Sequence, residues 1–463
     1  MKNKEIKGKN ICLLIISYFF YACIDLKYII LLIFVTLNTY ISARFMNKKY
    51  KKALLMGCVI VNLLILIIFK YWNYGISLIY KVFHVRVETF SLIIPIGMSF
   101  YMLQALGYLI DVYREKLPAE KNFVVYALFV SFFPTILSGP IERSNHLLKQ
   151  IQNGATFSYE KAKRGLLLIA FGLFEKILIA NRLSVLIARV YADYMEYSGF
   201  TILFMAILYA IEIYADFAGY SSIALGIARL FGFELINNFR QPYFARSISD
   251  FWRRWHISLS SWLRDYVYIP LGGSRCRKWK IYRNLLLTFM ISGLWHGNGP
   301  KYLVWGAIHG IYLVLERVTS PFRNRIKEGS YINTDCWSYH FFQGLGTFLL
   351  VDFAWIVFSA NNISHMYGLL NKIFLHFDFG GAILRKEFLV GMDEGRWFLL
   401  TVEIGVIIAV DILHEKNISI CTWLEKQNLL FRWGMYLLIA MGIFVGAIYN
   451  YGMGASSFIY TQF

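Results

Sequence analysis

The sequence predicts an all-α polytopic membrane protein, and three observations favour this fold class. The chain of 463 residues is 58% hydrophobic and only 16% charged, whereas soluble domains are usually about 25% charged. Its mean hydropathy is +0.51. Apolar runs long enough to cross a bilayer recur from one end to the other. Because no Pro/Ser-rich linker or internal repeat divides the chain, we predict a single membrane domain over residues 1–463.

Apolar segments that are candidates for membrane-spanning helices follow one another along the whole chain. Some are shorter than the about 20 residues that a full crossing needs, so two or more are predicted to be re-entrant. A re-entrant segment is tolerated only where protein or a water-filled cavity surrounds it. The candidate segments are residues 11–24, 28–43, 53–70, 90–110, 123–140, 164–190, 200–231, 284–296, 300–318, 341–360, 397–414 and 433–450.

Basic residues predict the orientation of the chain. The net charge is +19, from 47 Lys and Arg against 28 Asp and Glu, and the basic residues cluster in short segments between apolar runs. This distribution is typical of cytoplasmic loops that face anionic lipid, and it leaves no soluble basic face for nucleic acid. Segments 2–9, 44–52 and 416–432 are therefore predicted to be cytoplasmic. We expect an uncleaved first span, a cytoplasmic N-terminus, an extracytoplasmic tail at 451–463 and about eleven crossings of the plasma or inner membrane.

Residues 235–283 are too polar to span the membrane but are rich in aromatic side chains. A helix that begins near Ser249, with Ser249 or Asp250 as its N-cap, would place an apolar stripe of tryptophan, tyrosine and leucine side chains on one face. His256 would share that face and point into the protein. We favour a helix at the membrane interface or at the floor of a funnel over a solvated connector. The stripe comprises Trp252, Trp255, Leu259, Trp262, Leu263 and Tyr266.

Three histidines lie in or beside apolar sequence, where ionisable groups are expensive and often functional. His296 follows an apolar run in the sequence GLWHG, whose glycines leave space for another backbone or for a substrate. A neutral imidazole there can take a proton from a hydroxyl group. If His256 approaches His296, one can act as base while the other orients it or donates to an oxyanion. The alternative is a core histidine, and for His309 interhelical hydrogen bonding is favoured over catalysis.

Candidate binding residues lie near these histidines in the sequence. Arg253, Arg254 and Arg264 are suited to the phosphates of a nucleotide-like donor or, equally, to anionic lipid. Asp216 and Glu212 are acidic groups within an apolar span, where pairing with buried arginines is favoured over lining a polar cavity. The predicted donor- and substrate-binding residues are Trp252, Arg253, Arg254, Trp255, Ser258, Trp262, Arg264, Asp265, Asp216 and Asn298.

The sequence gives no support for a metal site or a bound cofactor. The six cysteines are scattered without a CxxC pair or metal-ligand spacing, which also argues against a disulfide framework. The motifs GxGxxG, GxxxxGK[ST], HExxH and GxSxG are absent from the sequence. A nucleotide-driven pump, a metalloprotease and a serine hydrolase therefore lack support.

Seven stretches along the chain form one pattern: IPIGMSFYMLQALGYLIDVYREK (94–116), FFPTILSGPIERSNHLLKQI (132–151), YADFAGYSSIALGIARLFGFELINNFRQPYFARSISDFWRRWHISLSSWLRDYVYIPLGG (214–273), SGLWHG (292–297), WGAIHG (305–310), FAWIVFSA (353–360) and FIYTQF (458–463). In this order they resemble the membrane-bound O-acyltransferase (MBOAT) family, specifically its bacterial alginate O-acetyltransferase branch. The likeness covers most of the chain and weakens before residue 94.

This resemblance implies an MBOAT-type ring of about eleven transmembrane helices around a central funnel, with re-entrant and amphipathic helices. The core motif region would be residues 214–310. His296 matches the family's histidine in its WHG motif. His256 matches a second position, which is histidine in the related D-alanyl-teichoic-acid transferases.

The resemblance also implies an O-acyltransferase reaction. A cytoplasmic thioester, with acetyl-CoA favoured, would donate the acyl group, His296 would be the general base on an acceptor hydroxyl, and His256 would steady the oxyanion. Family members of this kind act on extracytoplasmic polysaccharide, often with an SGNH-type partner outside the membrane. Tyr460 in the terminal FIYTQF is then a candidate transient acyl acceptor, with a packed terminal anchor as the favoured alternative.

Two other functions are weighed against this one. A transporter or flippase for a lipid-linked or anionic solute would line its pathway with the histidines and arginines, but the two halves of the sequence contain no broken-helix repeat. A structural partner of a polysaccharide synthase needs no catalytic residue, so replacing His296 would leave the polymer modified. The resemblance favours the acyltransferase.

Overall fold

A computed structural model describes residues 2–46, 49–84, 92–329 and 333–449, and every regular element in these ranges is a helix. The predicted all-α class is therefore confirmed. Three π-helical segments, Ser144–Leu148, Phe174–Ala180 and Arg264–Tyr268, lie between α-helices. The α-helices are α1 (Lys2–Asp25), α2 (Ile29–Arg44), α3 (Lys51–Phe83), α4 (Met98–Tyr113), α5 (Phe123–Ser131), α6 (Phe133–Ile136), α7 (Lys149–Asn153), α8 (Tyr159–Leu173), α9 (Asn181–Ala192), α10 (Gly199–Leu230), α11 (Ile248–Arg254), α12 (Ile257–Leu263), α13 (Lys278–His296), α14 (Pro300–Gly329), α15 (Trp337–Ser359), α16 (Ile363–Leu375), α17 (Phe379–Leu384), α18 (Glu394–Glu415), α19 (Ile420–Glu425) and α20 (Leu429–Tyr449).

Within the described ranges, six helical stretches are long and apolar enough to cross a membrane, so the chain is a multi-pass membrane protein. Other predicted spans are short or interrupted. The apolar segment 123–140, for example, contains the two short helices α5 and α6, which are separated at Phe132. The figure of about eleven crossings stays a prediction. The six stretches are Lys4–Arg44, Lys51–Phe83, Gly199–Leu230, Trp337–Ser359, Glu394–Glu415 and Leu429–Ile448.

The chain forms two compact units. The first contains the described residues up to 169 and residues 224–237, and the second contains residues 170–223 and the described residues from 238 onward. The sequence motifs that surround the three histidines belong to the second unit. The single domain predicted over the whole chain stays a prediction.

Tyrosine rings from three helices form much of the core of the first unit. The ring centroids of Tyr21 and Tyr101 lie 6.4 Å apart, and those of Tyr108 and Tyr126 lie 4.6 Å apart. The Tyr126 hydroxyl donates to the Thr39 hydroxyl at 2.7 Å, so α5 is bonded to α2 within the core. Buried tyrosine hydroxyls usually have a hydrogen-bond partner of this kind.

Glu142 connects two separate parts of the first unit. Its carboxylate is buried, accepts a hydrogen bond from the backbone N–H of Ile236 at 2.7 Å, and lies 2.7 Å from Nδ1 of His146. The hydrogen bond to Glu142 raises the pKa of His146 above its ordinary value. The segment 224–237 is thus tied to the chain that follows α6.

Helices α13 and α14 pack very closely in the second unit because glycines lie at their contact. A Cβ atom on Gly293 would lie 2.1 Å from the carbonyl oxygen of Tyr302, and one on Gly306 would lie 2.3 Å from that of Phe289. Neither position has room for a side chain. The expectation that glycine before His296 lets another backbone approach is therefore confirmed.

The continuous helix predicted from Ser249 is wrong, because α11 and α12 are separate helices with a break between them. The predicted N-cap is also wrong by two to three positions. Ser247 caps α11, and its side chain accepts a hydrogen bond from the backbone N–H of Asp250 at 3.1 Å.

The break between α11 and α12 falls at Trp255 and His256. Trp255 has extended backbone angles, and His256 adopts the left-handed region at φ +43°. The backbone N–H of Ile257 donates to the carbonyl of Asn238 at 2.9 Å, so the helix stops without leaving this donor unpaired. The helical face on which His256 was predicted to lie therefore does not exist, and the turn itself sets the direction of its side chain.

Two pairs of oppositely charged side chains lie inside the second unit. Asp216 on α10 forms an ion pair with Lys176, and Arg182 lies 3.1 Å from Glu403 on α18. Removing one partner from such a pair leaves an uncompensated charge in an apolar environment. Asp216 is thus paired as expected, but with a lysine rather than an arginine.

Candidate functional site

His296 is the last residue of α13 and is only 3% exposed. Aromatic rings surround its imidazole, with centroids 4.9 Å away for Trp295, 5.0 Å for Trp305 and 5.7 Å for Phe358. These rings come from α13, α14 and α15. Their edge-on contacts hold the imidazole in one orientation and keep the surroundings apolar.

His256 is fully buried at the break between α11 and α12. Its ring centroid lies 4.6 Å from that of Phe217 on α10 and 6.1 Å from that of Trp295 on α13. Burial lowers the pKa of His256 to about 3, so the imidazole is neutral at physiological pH. Trp295 therefore contacts both His256 and His296, and the structure brings all three residues into one aromatic cluster.

His309 on α14 forms the interhelical hydrogen bond that was favoured for it. The indole N–H of Trp252 on α11 donates to Nδ1 of His309 at 3.3 Å. Because Nδ1 accepts this bond, the proton of the neutral ring is on Nε2. The Trp305 ring lies 4.9 Å from His309 and 5.0 Å from His296, so the same aromatic cluster includes the third histidine.

A cavity of about 340 Å³ lies beside this cluster in the second unit. Arg253 and Arg264 line it together with Trp252, and Ser292 on α13 lines another part of its wall. Ser292 is 1% exposed, and its hydroxyl has no hydrogen-bond partner among the described residues. Buried hydroxyls are normally satisfied, so this group is a candidate contact for a ligand or water. Ser292 precedes His296 by one helical turn.

The two adjacent arginines differ in their surroundings. Arg253 is exposed at the cavity, whereas Arg254 is buried and forms two hydrogen bonds to the Glu415 carboxylate, at 2.7 and 3.1 Å. Nε of Arg254 also lies 3.1 Å from Asp250. Burial alone would lower the pKa of Arg254, but its bonds to Glu415 and Asp250 raise it overall. Arg254 is therefore engaged in the fold, and Arg253 is the better candidate for a ligand.

Arg264 retains the features of a candidate binding residue. Its side chain is exposed at the cavity and pairs with the neighbouring Asp265 at 2.8 Å. This hydrogen bond raises the pKa of Arg264. Trp262 lies nearby in the chain and packs against Tyr266, with ring centroids 5.0 Å apart.

Two other predicted site residues pack or bond around the break between α11 and α12 and do not line the cavity. Trp255 is buried and its ring lies 5.1 Å from those of Phe239 and Trp355. The Ser258 hydroxyl donates to Oδ1 of Asn238 at 2.7 Å. These contacts position the turn that contains His256. Asn238 was missed because no local sequence pattern links it to a helix start some twenty residues later.

The last two predicted site residues are Asn298 and Tyr460. Asn298 is exposed in the short turn that follows His296. Tyr460 lies outside the described residues.

Sequence reasoning missed Trp305 and Ser292, although each stands four positions before a candidate histidine, on the same helix. That spacing places side chains on one helix face and is the signal that would have found them.

The described part of the chain contains no group of three His, Cys, Asp or Glu side chains that could hold a metal ion. The aromatic cluster itself offers the chemistry of its imidazoles and its hydrogen-bond donors. Neutral histidines in an apolar cluster are suited to moving a proton to or from a hydroxyl group.

Comparisons with known proteins agree with this interpretation. A family model described as MBOAT, membrane-bound O-acyltransferase family, matches residues 13–349. The chain is similar to a "Probable alginate O-acetylase" of Pseudomonas syringae pv. tomato, with 39% identity over 373 residues, which cover 78% of this chain and 69% of that protein. It is 33% identical to a peptidoglycan O-acetyltransferase of Helicobacter pylori, over 76% of this chain and 71% of that protein.

A more distant similarity extends to a second kind of acyl transfer. A teichoic acid D-alanyltransferase of Bacillus subtilis is 27% identical over 288 residues, which cover 59% of this chain and 71% of that protein. The names of these relatives all describe the transfer of an acyl group, with alginate, peptidoglycan or teichoic acid as the named polymer. The chain belongs to the membrane-bound O-acyltransferase family and is an O-acyltransferase.

Proposed function

We propose that this enzyme moves an acetyl group from cytoplasmic acetyl-CoA across the membrane for O-acetylation of an extracytoplasmic polysaccharide. The observation that supports this most directly is the cavity beside the aromatic cluster. Arg253 and Arg264 line one part of its wall, and Ser292 lines another. It offers cationic contacts for phosphate and reaches the helix that ends in His296. The relatives named as O-acetylases and O-acetyltransferases support acetyl as the transferred group.

In the proposed reaction His296 is the general base. Its imidazole takes the proton from an acceptor hydroxyl as that oxygen attacks the thioester carbonyl. The carbon–sulfur bond then breaks, and the departing thiolate receives the proton from His296, so that an ester and free coenzyme A are formed. A positioned base of this kind typically contributes about 10²–10⁴-fold to the rate.

The aromatic surroundings of His296 support this role. Trp295, Trp305 and Phe358 contact the imidazole on different sides and limit its rotation. A dry site also protects a thioester from hydrolysis and strengthens the interactions that stabilise developing charge. His256 is a candidate for a hydrogen bond to the tetrahedral oxyanion, because its buried ring is neutral and contacts the same tryptophan as His296.

Arg253 and Arg264 are the proposed contacts for the phosphates of the donor. A guanidinium group binds phosphate through two parallel hydrogen bonds, and both side chains line the cavity with Trp252. The single pairing of Arg264 with Asp265 leaves further donors of its guanidinium group for such contacts. The donor is a substrate, and no bound cofactor is proposed.

The wider arrangement is proposed on the same basis. About eleven crossings form a ring around a funnel, with the N-terminus in the cytoplasm and the tail at 451–463 outside the plasma or inner membrane. An SGNH-type partner outside the membrane passes the acetyl group to the polysaccharide. Tyr460 is the candidate intermediate acceptor, and a terminal anchor is the alternative role for that tail.

An assay with doubly labelled acetyl-CoA tests the proposed function against transport. The donor has ¹⁴C in its acetyl group and ³H in its adenine, and it is added outside inverted vesicles from cells that make the envelope polymer. We expect ¹⁴C to appear in polymer within the vesicles while ³H stays outside, with neither label entering vesicles that lack the protein. Entry of both labels together would indicate a transporter and would contradict the proposal.

A further inference from the structure

A second open feature of the second unit is a groove of about 670 Å³ along the first half of α15. None of its lining residues lines the cavity beside the histidines. The α15 residues are spaced by three and four positions and therefore share one helix face. They are Trp337, His340, Phe341, Gly344, Leu345 and Phe348.

Two cationic side chains line the groove. Arg246, which precedes α11, and Lys416, which follows α18, both line it and are both exposed. Within the described part of the chain, no carboxylate forms an ion pair with either side chain. The one acidic residue in the lining, Glu415, is already bonded through both oxygens to Arg254. The groove thus offers two cations without an internal counter-ion.

Apart from His340 and Tyr243, the rest of the lining is apolar, and the α15 wall has the length of half a bilayer. From Trp337 to Phe348 the helix rises about 16 Å, at about 1.5 Å per residue. The hydrocarbon core of one leaflet is about 15 Å thick, half of the whole. Phe341 and Leu345 on this wall are 48% and 40% exposed, so the protein itself leaves them uncovered.

We propose that this groove binds an anionic phospholipid, whose phosphate contacts Arg246 and Lys416 and whose acyl chain lies along α15. These two cations complement a phosphate that has no compensating ammonium group. Lys416 begins the basic loop that we place in the cytoplasm, and the cytoplasmic leaflet is the one rich in anionic lipid. Acetyl-CoA is a poorer occupant, because its two-carbon acyl group cannot cover about 16 Å of apolar wall.

Two changes separate the charged and apolar contributions. Arg246→Ala with Lys416→Ala removes the cations but keeps the apolar wall. Gly344→Leu fills the groove without changing its charge, because a Cβ at this position meets only the carbonyl oxygen of Ala245, at an ordinary contact distance of 3.9 Å. Leucine also suits a helix better than glycine. Lys426→Ala is the matched control, since Lys426 is an exposed lysine ten positions after Lys416 that does not line the groove.

The test is native mass spectrometry of the purified full-length protein with equal amounts of dioleoyl phosphatidylglycerol and dioleoyl phosphatidylcholine. Wild type and Lys426→Ala are expected to prefer phosphatidylglycerol. Each cation removed is expected to weaken that preference about 5-fold, so the double variant loses most of it. Gly344→Leu is expected to lower binding of both lipids while the protein stays monodisperse on gel filtration.

Two results would overturn the proposal. One is an unchanged preference for phosphatidylglycerol in the double variant. The other is displacement of the bound phosphatidylglycerol by coenzyme A, with coenzyme A binding lost in the same double variant, because the groove would then be a donor site. Neither readout requires acyl transfer, so the proposed enzymatic function is tested separately.

Discussion

Trp295 contacts both buried histidines of the site, with its ring centroid 4.9 Å from that of His296 and 6.1 Å from that of His256. The two imidazoles come from sequence positions that are far apart, one at the end of α13 and one at the break before α12. A single indole therefore fixes the position of each relative to the other. This relationship is the basis of the proposed division of roles between a base and an oxyanion donor.

Trp295→Leu is expected to lower kcat for acetyl transfer by about 100-fold, with a smaller effect on KM for acetyl-CoA. The substitution keeps an apolar side chain but removes the surface against which both imidazoles pack, and a displacement of about 1 Å can cost this much. Steady-state kinetics with membranes of equal protein content measure the effect. Trp423→Leu is the control, because Trp423 is 50% exposed and lies away from the histidines in α19. Equal kcat values for the two variants would argue against a positioning role.

Arg253→Ala and Arg254→Ala are expected to have different consequences although the residues are adjacent. Arg253→Ala should raise KM for acetyl-CoA about 10-fold or more, the usual effect of losing a hydrogen bond to a charged group. Arg254→Ala should mainly lower the melting temperature, because it leaves the Glu415 carboxylate without its two hydrogen bonds. Kinetics and thermal unfolding in detergent, measured on both variants, distinguish the effects. A donor KM that does not change in Arg253→Ala would assign that residue to lipid contact instead.

Gly293→Ala is expected to destabilise the protein, whereas Gly442→Ala is not. The added Cβ would lie 2.1 Å from the carbonyl oxygen of Tyr302 at position 293, but it would meet nothing within 4 Å at position 442. In an open helical position alanine is favoured over glycine by about 0.5–1 kcal/mol. The melting temperature should therefore fall for Gly293→Ala and stay equal or rise for Gly442→Ala. Equal behaviour would show that α13 and α14 are not so closely packed.

The pair of His146 and Glu142 predicts a pH-dependent contribution to stability. Because the bond to Glu142 raises the pKa of His146 in the folded protein, the stabilisation is fully present below the unfolded pKa of about 6.5. It is lost as the pH rises through the folded pKa. The difference in melting temperature between wild type and His146→Gln should thus be larger at pH 6 than at pH 9. A difference that grows with rising pH has the wrong sign for this account.

The sequence predicted the helical class and the close packing beside His296 because both follow from local patterns. Long apolar runs indicate helices that cross a membrane, and Gly293, three positions before His296, indicated the close approach of α14. The hydrogen bond that was favoured for His309 is present, with Trp252 as its donor. The first two of these features depend on residue type within one or two helical turns, whereas the partner of His309 lies 57 positions away.

The break between α11 and α12 was not predictable in the same way. Periodicity assumes that a helix continues, and here the helix stops because Asn238, some twenty residues earlier, bonds to the backbone and side chain beyond the break. Arg253 and Arg254 likewise look equivalent in the sequence. Their difference arises from Glu415, a partner 161 positions away from Arg254, which no local pattern reveals.

The most direct test of the central claim is the rate of acetyl transfer from labelled acetyl-CoA to envelope polymer by His296→Ala. Loss of a general base predicts a fall of about 10²–10⁴-fold, with the variant still present in the membrane at the wild-type level. His340→Ala, which changes a histidine of α15 that contacts neither His296 nor its cavity, should retain most of the activity. Near wild-type transfer by His296→Ala would contradict the assignment of this histidine as the base.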